Sequence, residues 1–114
     1  MPTSNPFSSF LRRLGSCSAI GLLAVASAAA QAGGEATYKA KCQMCHGATG
    51  AGDTPAGKSM KVKSFKDPEV AKMSAAALME IVKNGSGKMP SYKDKLTDAQ
   101  IKDVVAYTLA IEKK

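Results

Sequence analysis

The 114-residue sequence predicts a small all-α domain. Strand signals are absent: no run of β-branched residues stands out. Helix signals are present instead. Apolar residues recur at helical spacing after capping residues near positions 74 and 97. Glycine-rich stretches separate these segments, and no internal repeat is visible.

Residues 1–32 read as an export signal rather than as part of the fold. Arg12 and Arg13 form a positive start, Cys17 to Ala30 a short apolar stretch, and Ala30-Gln31-Ala32 an A-x-A cleavage pattern. The apolar stretch is short for a membrane span, so an uncleaved anchor is the lesser alternative. Cleavage after Ala32 leaves 114 − 32 = 82 residues, Gly33 to Lys114, as a single domain. Its formal charge is 14 − 9 = +5, because the leader takes two of the 16 basic residues and none of the 9 acidic ones. That balance favours acidic partners. An export signal without a nucleic-acid motif argues against nucleic acid.

Gly33 to about Cys45 predicts a first helix ending at Gly47. Residues 47–66 predict a loop, with Gly47, Gly50, Gly52, Pro55 and Gly57 as turn formers. Asp67-Pro68-Glu69 has the order of a helix start: N-cap, proline at the first position, acid in the first turn. Ser74 caps a further helix whose Ala77, Leu78, Ile81 and Val82 share a face, and Asn84-Gly85 ends it. A second loop spans 85–95. Thr97 and Gln100 then form a capping box ahead of an apolar stripe of Ile101, Val104, Val105, Thr108 and Leu109.

The chemistry concentrates in Cys42-Gln43-Met44-Cys45-His46. This is C-x-x-C-H, the attachment sequence of a c-type haem. Two thiols can each add across one porphyrin vinyl group, and the adjacent imidazole can bind the iron. The rival readings are weaker. A thioredoxin-like dithiol needs a βαβ setting. A zinc site needs four ligands, but His46 is the chain's one histidine and Cys17 its one other cysteine. A simple disulfide leaves His46 without a role. Covalent haem would also give so small a chain a core to fold around.

With one histidine, the iron's second axial ligand cannot be another imidazole. The candidates are a methionine, a lysine, water or an open position. Met44 is tethered on the His46 side, Met73 and Met79 read as core packing, and Met60 in the lysine-rich loop competes. Met89 fits best. It follows a glycine-rich turn and precedes Pro90, which fixes the local backbone and leaves little entropy to lose.

In this order of elements, with Cys42-x-x-Cys45-His46-Gly47 early and Met89-Pro90 late, the chain resembles the small mono-haem class I cytochromes c of bacteria. The resemblance runs from Gly33 to about Glu112. It implies the cytochrome c fold, about three to five short helices around one covalent haem c. It implies thioether links at Cys42 and Cys45, with His46 and Met89 as iron ligands. It further implies that Tyr38 meets the last helix near Tyr107, that the Pro55 carbonyl turns toward His46, and that Tyr92 stands where relatives carry another aromatic.

The function so implied is a monomeric one-electron carrier in the periplasm, not an enzyme and without stable membrane insertion once the leader is cleaved. Lys58, Lys61, Lys63, Lys66, Lys88, Lys93 and Lys95 lie in the loops around the motif and can steer acidic redox partners. Two alternatives stand beside it. One is a haem subunit of a larger oxidoreductase. The other is an open-iron enzyme or gas sensor, which needs the Met89 ligand to be absent or labile; the lack of a second histidine, an acidic cluster or a distal arginine argues against peroxidase chemistry.

Overall fold

The computed structural model describes the backbone from Ile20 and side chains from Gln31, each through Lys114. The Arg12-Arg13 stretch and the side chains of the apolar leader segment lie outside the described residues. Six helices occur among the described residues: α1 (Ile20–Lys41), α2 (Gln43–His46), α3 (Pro55–Ser59), α4 (Pro68–Ala71), α5 (Ala75–Asn84) and α6 (Asp98–Glu112). That is one more than the upper expectation, and α1, at 22 residues, is not short. No helix among the described residues is long and apolar enough to cross a membrane.

The caps set the boundaries. The Thr97 side chain accepts from Gln100 N–H at 3.1 Å while the Gln100 side chain accepts from Thr97 N–H at 2.9 Å, closing the capping box that opens α6. Ser74 accepts from Ala77 N–H and opens α5; Asp67 accepts from Glu69 N–H and opens α4 with Pro68 at its first position. The predicted first helix starts earlier than expected, at Ile20 inside the expected leader, and is in fact two. Cys42 breaks it at φ −117, ψ −36, and its carbonyl then accepts from the N–H groups of Cys45 and His46 to start α2. The predicted 47–66 loop contains α3, with Thr54 as its N-cap and Pro55, expected only as a turn former, at its first position.

Helices α1 and α6 pack together more extensively than any other described pair. Gly34 makes the close approach possible: a methyl there would lie 2.3 Å from the Asp103 carbonyl oxygen. One core cluster joins Tyr38, Phe65, Val104 and Ile111; a second joins Leu96, Ile101 and Val105, with Leu78, Met79 and Val82 against it. Each such aliphatic side chain contributes about 1.5–3 kcal/mol when fully buried. Met79 is core, as expected. Met73 is not: it is 36% exposed and faces the large cavity described next, because α4 ends just before it.

Candidate haem site

A cavity of about 970 Å³ opens between the two core clusters. Tyr38, Phe65 and Val104 of the first cluster line it, as do Val105, Leu78 and Val82 from the second cluster's side. Helix α5 explains it best. Leu78, Ile81 and Val82 form the apolar face predicted from the sequence, yet no residue of α5 is fully buried. That face looks into the cavity. A helix with such a face needs a partner; α5 has one in part, the Leu96, Ile101 and Val105 cluster, and the rest of its face is left to whatever fills the space.

The cavity brings together Cys42, Cys45, His46 and Met89, from two segments far apart in sequence. Met44, Met60 and Met73 also line it. Met44, between the two cysteines, is 78% exposed. Cys42 and Cys45 are free thiols, and burial pushes the Cys42 thiol up to about 11. Desolvation lowers the His46 pKa, which favours the neutral imidazole, the form that binds a metal.

The local fold holds this motif in place. Thr54 donates its hydroxyl to the Met44 carbonyl at 2.6 Å and accepts from Gly57 N–H at 2.9 Å, fastening α2 to α3. Gly57 must be glycine for that contact, since a methyl would sit 2.3 Å from the Cys45 carbonyl. The buried Tyr38 hydroxyl donates to the Gly47 carbonyl at 2.6 Å, and its ring lies 5.3 Å from that of Tyr107, as the resemblance implied. The Phe65 ring lies 5.0 Å from that of His46, tilted by 30°. Gly50, at φ +77, leaves the room Phe65 occupies. Sequence reasoning missed both Thr54 and Phe65; the one signal for Phe65 was a lone aromatic in a polar loop.

The expected bond from the Pro55 carbonyl to His46 is not formed. Pro55 starts α3, and His46 Nδ1 is buried without a hydrogen-bond partner, alone in this among the described side chains. A buried polar atom without a partner carries a cost that a native site accepts for a functional reason. Neutral imidazole, thioether and two thiols around an apolar space are a donor set that fits haem c. Lys41, Lys61, Lys63, Lys88 and Lys95 ring the cavity; Lys63 pairs with Glu69, and Lys95 lies 5.4 Å from the Tyr92 ring centre. Lys58, Lys66 and Lys93 stand off it.

Comparison with known proteins agrees with this geometry. Residues 29–107 match the family described as cytochrome C oxidase, cbb3-type, subunit III. The chain is similar to cytochrome c6 of Synechocystis sp., 35% identical over 85 residues, 74% of this chain and 68% of that protein. It is similar to cytochrome c6 of Leptolyngbya boryana, 37% identical over 80 residues, 70% of this chain and 89% of the relative. Among solved structures, the KustC0563 c-type cytochrome matches with a TM-score of 0.63 and 30% identity, covering 68% of this chain and 95% of that one. The all-α fold, the apolar cavity and these relatives agree: the chain belongs to the cytochrome c family, as a small mono-haem protein that carries electrons on covalently bound haem c and is not an enzyme.

Proposed function

We propose that Cys42 and Cys45 would hold the haem through thioether bonds, that His46 and Met89 would bind its iron, and that the protein shuttles single electrons between redox proteins in the periplasm. The observation that carries this reading is the convergence of those four side chains on one apolar cavity. When bound, haem supplies an iron that alternates between ferrous and ferric. The chain's residues set how readily it does so. The Met89 thioether is a soft ligand that favours the ferrous state. Leu78, Ile81, Val82 and Val104 keep water from the site, which disfavours the extra charge of the ferric state. Phe65, its ring 5.0 Å from that of His46, adds apolar surface on that side of the site.

Lys41, Lys61, Lys88 and Lys95, exposed at the cavity's edge, would steer acidic surfaces of a donor or acceptor toward it and allow brief encounters between monomers. Export follows from the leader, with cleavage after Ala32. That point falls within α1, and the close approach of Gly34 to Asp103 lies on the retained side of it. A second reading is supported by the matched family's description as an oxidase subunit: the domain would serve as the electron-entry module of a larger oxidoreductase. Co-purification with a membrane oxidase at physiological salt would favour it; a freely diffusing monomer would count against it.

The ligand set is tested by absorption spectra of the haem-loaded protein beside Met89→Ala. The oxidised wild type should show the weak far-red band of a sulfur–iron bond, and the variant should lose it. A wild type that is high-spin and binds carbon monoxide readily would overturn the ligand set and bring forward the open-iron reading.

A further inference from the structure

The Met89 loop is tied down on two sides. Toward α5 the ties are local. Met89 N–H donates to the Ser86 carbonyl at 2.9 Å, Ser86 N–H returns to the Met89 carbonyl at 3.1 Å, and the Ser91 hydroxyl donates to the Lys83 carbonyl at 2.6 Å. These bonds fix the loop to the helix it leaves. One bond is not local. The Tyr92 hydroxyl donates to the carbonyl of Lys41, 51 positions away, at 3.1 Å.

The Lys41 carbonyl is available for a physical reason. It is the last residue of α1, and helix-terminal carbonyls have no partner within the helix. The Cys45 N–H, which would continue the pattern, bonds the Cys42 carbonyl instead at 3.2 Å. Tyr92 is the one donor the described residues give Lys41. Lys41 immediately precedes the first haem-motif cysteine, and both it and Tyr92 line the cavity. The bond therefore joins the covalent anchor side of the site to the loop that carries Met89. Burial keeps the phenol above its ordinary range, so the hydroxyl stays protonated and donates.

We infer that Tyr92 is a positioning residue: its hydrogen bond to Lys41 straps the Met89 loop closed over the cofactor and keeps small solution ligands from the iron's sixth position. The inference rests on Met89 being the sixth ligand. A neutral thioether is a weak ligand, so access to the iron depends on how often the loop opens. Opening on the α1 side must break this one bond, whereas the α5 ties can travel with the loop. A single neutral hydrogen bond biases such an equilibrium by up to about tenfold.

The test is imidazole binding to the ferric, haem-loaded protein, followed by absorption, in wild type and Tyr92→Phe, with thermal midpoints measured alongside. Tyr92→Phe removes one hydroxyl and keeps the ring. It should retain the far-red sulfur–iron band without imidazole and bind imidazole about 5–10-fold more tightly than wild type. A Tyr92→Phe protein with a lower thermal midpoint but unchanged imidazole affinity would show a merely structural bond and overturn the strap while leaving Met89 as ligand. A wild type without the sulfur–iron band would overturn the Met89 assignment, and the strap with it.

Discussion

Replacing Gly34 with alanine puts the α1–α6 crossing to a direct test. The added methyl would lie 2.3 Å from the Asp103 carbonyl oxygen, 2.9 Å from its carbon and 3.0 Å from Tyr107 Cβ. Ordinary contact begins at 3.4 Å, so the helices must part by 3.4 − 2.3 = 1.1 Å. The obstacle is backbone, which cannot swing aside as a side chain can. Overpacking of this kind costs about 1–3 kcal/mol, and a rigid backbone contact belongs at the upper end. Alanine returns up to about 1 kcal/mol of helix propensity. The net loss is about 2 kcal/mol, which for a domain of this size lowers the melting temperature by roughly 8–16 °C. Gly33→Ala is the control. Its methyl would meet only Asp103 Oδ2, at an ordinary 3.7 Å, and cleavage after Ala32 would leave it at the start of the helix where propensity counts little, so the midpoint should hold. Far-UV circular dichroism melts of the haem-loaded proteins read both. If the two variants shift together, or Gly34→Ala is the more stable, the reasoning about the crossing is wrong.

Tyr38→Phe should cost about 1–3 kcal/mol at neutral pH, since it leaves the buried Gly47 carbonyl without its 2.6 Å donor; chemical denaturation would read it. Burial holds the Tyr38 phenol above its ordinary pKa of 10, so its contribution is complete below pH 10 and fades as pH rises beyond that; the gap between wild type and Tyr38→Phe should narrow in that range, and a constant gap would refute the assignment. A Cys42→Ser/Cys45→Ser chain made without haem should show weak helical circular dichroism, because α5 then keeps only its partial packing on the Leu96, Ile101 and Val105 cluster while its cavity-facing side is left uncovered. A stable helical spectrum from that chain would show that the polypeptide core suffices by itself.

The sequence by itself determined whatever depends on near neighbours. The caps at Asp67, Ser74 and Thr97, the stop at Gly85 and the buried stripe of α6 were all legible, because each rests on bonds or spacings within a few residues. The haem motif was legible for the same reason: two thiols and an imidazole within five positions. Tertiary structure decided the rest. It put Met89 on the cavity that holds Cys42, Cys45 and His46, set Phe65 against the histidine, and moved Met73 from the expected core to the rim. It replaced the expected Pro55 bond with a histidine nitrogen that has no partner, and it joined Tyr92 to Lys41. Those contacts link residues far apart in the chain. They arise from how α1 and α6 cross and from the size of the space left between two small cores, and no local pattern encodes either.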